Sequence, residues 1–287
     1  MDIQNKNVLI TGASRGIGRY IAYAIAKRGG NVALLALPSD IKRLQNLEKK
    51  LTRFNTKVKY FAADLSDYKQ LSDAVENVSK EFGHIDILIS NAAIESIGVF
   101  ERQTEQMIMD SIAVNLTAPI LMTKKLLPKM ISQGAGHVVV LSSYAGKIGS
   151  PYQSVYSATK AGLIKWVIGM NRELKGCGVS FSVISPSYVS QSGMYSNILN
   201  KSTDKLNTPK IAGEVTPHEV VKAVICSIQK NRTDVIVGSP FLRIFATINE
   251  LMPDCVTKLF DSLGLSQYNR KLAIIHHDVK NQRTEKK

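Results

Sequence analysis

Tyr156 and Lys160 stand four residues apart in Tyr156-Ser157-Ala158-Thr159-Lys160. On a helix that spacing puts both side chains on one face, within reach of one another. The segment after Pro151 reads as a helix running to Leu174. A free tyrosine ionises near pH ~10 and is a poor acid or base at neutral pH. A lysine ammonium beside it favours the phenolate, so the pair is expected to bring the Tyr156 pKa down. Ser143 follows the apolar run His137-Val138-Val139-Val140-Leu141 and falls at a strand's carboxyl end. Its hydroxyl could donate to a substrate oxygen while Tyr156 exchanges the proton. The plain alternative is a surface helix that happens to carry a tyrosine and a lysine. What lies upstream decides between them.

Val8-Leu9-Ile10 reads as a buried strand. It feeds Thr11-Gly12-Ala13-Ser14-Arg15-Gly16-Ile17-Gly18, and a helix follows through Tyr20 to Ala26. Gly12, Gly16 and Gly18 would let the backbone turn tightly and approach a pyrophosphate, which the helix N-terminus would face. The second strand, Val32 to Ala36, has no acid at Ala36 or Leu37. An acid there would bind the ribose hydroxyls of NAD. Asp40 is expected to cap the helix starting at Ile41. Arg15 could meet a 2′-phosphate, so NADP(H) is the preferred cofactor and NAD(H) the alternative.

The alternation continues through the strands Val58–Ala62, Ile85–Ile89, His137–Leu141, Val179–Ile184 and Asp234–Val237. Asp64 could accept from an adenine amine or cap the next helix, a job Asp67 could also do. Asn91, Ala92 and Ala93 end the fourth strand, small enough for a cofactor to lie close, or simply a turn. A long helix is expected from Thr104 to Met130. Pro119 in it frees the Asn115 carbonyl, which could hold a proton-carrying water or mark an ordinary kink. Seven strands alternating with helices define an α/β fold with one doubly wound parallel sheet, a Rossmann fold. Residues 1–240 form this dinucleotide-binding and catalytic domain, and 241–287 a C-terminal amphipathic extension with a basic tail.

The 287 residues carry 37 Lys and Arg against 23 Asp and Glu, a formal net charge of +14. The basic residues are spread along the chain without interleaved aromatics, which argues against nucleic acid. Three separated cysteines suggest reduced thiols and a cytoplasmic protein rather than a disulfide frame. No metal-ligand spacing appears, and no segment approaches the ~18 apolar residues of a membrane span. The stretch from Ser190 to Gly213 reads as a mobile loop or a lid, with a short helix near Tyr195 to Leu199. In the extension, Phe241, Leu242, Phe245, Ile248, Leu251 and Met252 fall on one helical face, and Val256, Leu259, Phe260 and Leu263 follow. Packing on its own domain or on a partner subunit is the expectation. A wall of a lipophilic pocket, or peripheral contact with a membrane, is the alternative. Lys280 to Lys287 is expected to fray.

With the glycine turn, Asn91-Ala92-Ala93, Asn115, Ser143 and Tyr156 through Lys160 in order, the chain resembles the short-chain dehydrogenase/reductase family over about residues 5 to 240. The resemblance implies a single Rossmann domain, a homodimer or homotetramer, and hydride transfer between NAD(P)H and a small-molecule carbonyl or alcohol. It implies Tyr156 as general acid/base, Lys160 at the nicotinamide ribose, Ser143 on the substrate oxygen and Asn115 on a relay water. Gly12, Ser14, Arg15 and Ile17 would meet the phosphate end, Asp64 and Leu65 the adenine. Asn91 would lie along the cofactor, and Val189, just past Pro186, would touch the carboxamide. The sequence departs from the family at Ala93 and Ser187, where glycine is usual, at Gln191 in place of threonine, and at Leu37 in place of arginine. The apolar extension suggests a lipid, steroid-like or acyl substrate. A catalytically silent NADP-binding sensor or scaffold is the alternative function.

Overall fold

The strands are apolar on both faces, and a parallel sheet covered by helices on both sides is the arrangement that buries such strands. The computed structural model describes residues 1–95, 97–190 and 213–284, with side chains through residue 275. Seven parallel strands form one sheet in the order β3-β2-β1-β4-β5-β6-β9. They are β1 (Asn7–Thr11), β2 (Asn31–Ala36), β3 (Val58–Ala62), β4 (Ile87–Ser90), β5 (Gly136–Leu141), β6 (Val179–Pro186) and β9 (Asp234–Val237). A separate parallel pair, β7 (Tyr188–Val189) and β8 (Glu214–Val215), lies just past β6. The order reverses between β1 and β4, the switch point where ligands bind beyond the carboxyl ends of strands.

Alternating strand residues feed two cores. Val8, Ile10, Val32 and Leu34 pack with α1 (Gly16–Ala26), α2 (Ile41–Leu51) and α8 (Pro217–Lys230). Leu9, Leu88, Val138 and Val140 pack on the other face with α3 (Tyr68–Phe82), α5 (Ala118–Ser132) and α7 (Ser154–Glu173). Two starts are fixed by their caps: Asp67 accepts from Lys69 and Gln70 N–H groups at α3, and Thr216 and Glu219 form a reciprocal capping box at α8.

The helix expected from Thr104 to Met130 is instead broken. It comprises α4 (Glu105–Ile112), a π turn (Ala113–Thr117) and then α5. The Ala118 N–H reaches back to the Ala113 carbonyl, five residues away. Pro119 supplies no N–H just beyond, so the ladder shifts register where Asn115 sits, and Asn115 turns fully inward.

After the short α6 (Ala145–Ile148), α7 and β9, the extension folds as α9 (Pro240–Leu251), α10 (Pro253–Ser262) and α11 (Leu265–Thr284). It packs on its own domain over the carboxyl end of the sheet. Tyr144 donates to the Leu242 carbonyl at 3.0 Å, and Tyr188 to Asn269 Oδ1 at 3.0 Å. The expected apolar stripe is only partly buried. Leu242 and Phe245 are buried, whereas Phe241, Ile248, Leu251 and Met252 are exposed. Helix α11 continues to Thr284, so the fraying expected from Lys280 is not found over 280–284. The expected lid core with its short helix at 195–199, and Gln191, lie outside the described residues. Among the described residues, no helix is long and apolar enough to cross a membrane.

One core residue ties stability to pH. His137 on β5 is fully buried, with Nε2 2.8 Å from Ser182 Oγ. The Ser182 hydroxyl gives its proton to the Arg232 carbonyl, which leaves Nε2 as donor and Nδ1 without a partner. Burial pushes the imidazole down to about 4. Unfolded His137 takes a proton near ~6.5 and the folded form does not until far lower, so the unfolded state binds more protons in that window. The unfolding free energy should therefore fall by roughly 2 kcal/mol between pH 7.5 and 5 through this group alone. Urea titrations of wild type and His137→Gln should show that much less pH dependence in the variant; parallel curves would refute it.

Candidate active site

The carboxyl end of β5 and the first turns of α7 are held together by a reciprocal pair of bonds. The Lys160 ammonium donates to the Leu141 carbonyl at 2.7 Å, and the Ser142 hydroxyl to the Lys160 carbonyl at 2.9 Å. Gly146 is required there, because a Cβ on it would stand 2.7 Å from the Lys160 backbone. This contact carries Ser143 and Tyr156 into one cavity. Ser143 Oγ also accepts from the Ala145 N–H at 3.2 Å, which fixes its side chain. The Lys160 Nζ lies 5.6 Å from the centroid of the Tyr156 ring.

The expected lowering of the Tyr156 pKa is not found. Burial pushes the phenol well above its ordinary value, the Glu95 charge adds to that, and a bond to Ser143 pulls only partly the other way. Burial also brings Lys160 down to about 7. The same burial that aligns the pair weakens the ammonium that was to stabilise the phenolate. What this geometry holds ready is a protonated phenol, an acid able to donate to a nearby oxygen.

The side chain of Asn115, as distinct from the backbone carbonyl expected to hold a relay water, is committed to structural bonds. It accepts from the Ile94 N–H at 2.8 Å and donates to the Ile94 carbonyl at 2.8 Å, with Ser111 Oγ at 3.2 Å and Thr159 Oγ1 at 3.4 Å. The π turn that swings Asn115 inward thereby pins the strand-end loop of β4 to the helices.

At the glycine turn, Gly12 and Gly16 have φ values of 63° and 58°. A Cβ on Gly18 would meet the Gly12 carbonyl oxygen at 2.3 Å. Asn91 clamps the turn, its Nδ2 donating to the Thr11 and Gly12 carbonyls at 3.0 and 3.2 Å, while Thr11 Oγ1 accepts from the Asn91 and Ala92 N–H groups. The first turn of α1 holds no acid and Arg15 makes no side-chain cap. This cradle of backbone and helix N-terminus fits the pyrophosphate of a dinucleotide.

Contrary to the expectation from sequence, Asp40 precedes α2 without a side-chain cap bond to it. Its buried carboxylate turns back to the glycine turn, accepting from Ser14 Oγ at 2.8 Å and from Arg43, with Arg15 Nε 4.0 Å away. Burial raises Asp40, but the bonds from Ser14 and Arg43 and the charges of Arg15 and Arg43 outweigh it and hold the carboxyl below its usual value. Ser14 is thus committed to Asp40, while the Arg15 side chain is 65% exposed. Asp64 holds its own turn through the Ser66 N–H and hydroxyl, at 2.9 and 2.7 Å, and Leu65 packs into the core. Ile17, Pro186 and Val189 line the cavity beside Ser143 and Tyr156.

Among the cavity residues that sequence reasoning missed are two long polar ones, Glu95 and Gln153. Position was the available signal: Glu95 lies four residues past Asn91, beyond the carboxyl end of β4, where ligands collect in parallel sheets. The extension supplies the opposite wall through Phe241, Phe245, Phe260, Leu263 and Leu272. The pocket-wall reading and the packing reading of that segment are therefore both met.

A short chain dehydrogenase family model matches residues 6–203. The chain is 36% identical over 277 residues to the ketoacyl reductase HetN of Nostoc sp. (strain PCC 7120), covering 94% of this chain and 93% of that protein. Among solved structures, a bulky-bulky ketone specific alcohol dehydrogenase from Comamonas testosteroni is 26% identical with a TM-score of 0.71, over 87% of this chain and 94% of that one. An alcohol dehydrogenase from the archaeon Thermococcus sibiricus, complexed with 5-hydroxy-NADP, is 27% identical with a TM-score of 0.70, over 83% and 98%. This chain belongs to the short-chain dehydrogenase/reductase family, and its class is that of oxidoreductases acting on CH–OH and carbonyl groups.

Removing the Asn115 side chain strands two backbone groups of Ile94. Asn115→Leu should cost roughly 2–4 kcal/mol in a urea unfolding titration. Wild-type stability in that variant would show that the β4 loop is held by something else.

Proposed function

We propose that this protein is an NADP(H)-dependent reductase of hydrophobic ketones, of lipid, steroid-like or acyl type. The observation that carries the reading is the cavity itself, with Ser143 and Tyr156 at one end and the apolar side chains of α9 to α11 at the other. A substrate with an apolar body would leave water on entering and bring its carbonyl to the polar end. Bound NADPH supplies the hydride to the carbonyl carbon. Tyr156 gives its phenolic proton to the carbonyl oxygen as the carbon–oxygen π pair moves onto it, which makes the alcohol. Ser143 donates a hydrogen bond to the same oxygen and stabilises the growing negative charge. Lys160, lowered by burial in the resting site, is drawn back toward its charged form by the phenolate that remains, and that charge then favours proton release. The ketoacyl reductase and ketone-specific names of the relatives support a carbonyl substrate.

For the cofactor, Arg15 and Arg43 flank Asp40 at the edge of the glycine turn. Their two charges outnumber its one, which favours the extra phosphate of NADP over the bare ribose of NAD. The NADP-type ligand of the Thermococcus relative supports the same reading. Residues 1–240 carry the chemistry in this account, and the extension from 241 onward shapes the substrate side.

Tyr156→Phe should lower kcat at least ~1000-fold, while cofactor affinity stays within about threefold of wild type. Near-normal turnover of any ketone by this variant would remove Tyr156 from the proposed role. Fluorescence titration should show NADPH binding at least ~tenfold tighter than NADH, a difference of ~1.4 kcal/mol. Equal or tighter NADH binding would overturn the cofactor assignment.

A further inference from the structure

The cavity's polar side chains are mostly committed to the protein. Ser142 donates to Lys160, Tyr144 to Leu242, Ser187 to the Gly213 carbonyl and Tyr188 to Asn269. Glu95 and Gln153 are different. Both line the cavity, and among the described residues neither side chain has a hydrogen-bond partner. Gln153 is buried and stands three residues before Tyr156, at the start of α7. Glu95 follows directly on Ile94, whose two backbone groups are held by Asn115. The carboxyl is therefore presented from an anchored loop. Burial raises it to about 7, and it lines the same cavity as Tyr156. Glu95 is half-buried, so a ligand that covers it with apolar surface and returns no hydrogen bond is penalised for the water it displaces.

We propose that Glu95 and Gln153 form a polar subsite that selects ketones bearing a hydroxyl group near the reacting carbonyl. This rests on the reductase reading of Tyr156. The Glu95 carboxyl accepts when ionised and can also donate when protonated, both forms being populated near pH 7, and the amide both donates and accepts. A hydroxyl serves both at once: it donates to Glu95 and accepts from the Gln153 amide. An ammonium head group would donate to Glu95 and to Gln153 Oε1 but leave the Gln153 amide N–H groups unserved, and a carboxylate head group would be repelled by the ionised Glu95. The preferred substrate is amphipathic, with its hydroxyl beside the ketone and its hydrocarbon against Phe241, Phe245 and Phe260. A ketone without the hydroxyl strips water from Glu95 and returns nothing, so discrimination comes from the unpaired group as much as from the new bond.

The test uses initial rates with NADPH on 2-octanone, 1-hydroxy-2-octanone and 4-hydroxy-2-octanone. Wild type should favour at least one hydroxyketone over 2-octanone by ~tenfold or more in kcat/KM, chiefly through KM. In Glu95→Leu that ratio should fall to about one, and Glu95→Gln, which keeps an acceptor, should retain part of it. Gln153→Leu should reduce the ratio as well, which keeps the test open should Glu95→Leu fold poorly. Reduction of all three ketones by wild type without preference would overturn the subsite and leave the reductase reading standing. A ratio unchanged in both leucine variants would do the same. Failure of wild type to reduce any of the three would count against the reductase reading, and the subsite would fall with it.

Discussion

Everything at the site depends on the buried lysine that joins β5 to α7. Lys160 gives its ammonium proton to the last carbonyl of the strand and receives the Ser142 hydroxyl on its own carbonyl. One residue thus supplies both a charged donor and a backbone acceptor across the same seam. Ser143 leaves the strand just beyond it, and Tyr156 stands one helical turn before it. Burying an ammonium is expensive, and the cost appears as a lysine drawn down to about 7. A residue that served only to pack the helix could have been leucine. The charge is kept where it can respond to what Tyr156 does.

The fold was legible because its signals are local and repeated. Each buried strand is a short apolar run, and glycine or polar residues punctuate each return to the sheet. The glycine turn could be placed from sequence because strand, turn and helix are contiguous. The pairing of Tyr156 with Lys160 could be placed because a helix brings residues four apart together. The break at Asn115 was half visible: Pro119 announced a disturbance, but not that the helix would absorb it as a π turn. That outcome depends on Ile94, which is remote in sequence and needs both of its backbone groups satisfied.

Three features could not be read from the chain, each for a reason of through-space electrostatics or packing. Asp40 looked like a helix cap because it precedes a helix. It is drawn away by Ser14, Arg15 and Arg43, which a one-dimensional reading cannot bring to it. The direction of the Tyr156 shift depends on how deeply it is buried and on Glu95, neither of which spacing reveals. The apolar stripe of α9 was visible, but where the underlying surface stops was not. Most of it therefore stays in solvent, with Leu251 77% exposed.

The cavity draws its two ends from opposite parts of the chain. The polar end comes from residues 95 to 189, and most of the apolar wall from residues 241 to 272. These parts meet through few directed bonds, such as those of Tyr144 and Tyr188 to the extension. Changes at Phe241, Phe245 or Phe260 can therefore alter which molecules fit without touching the groups that move the proton. A lineage could swap or reshape its last three helices and acquire a new diet while inheriting its reaction intact.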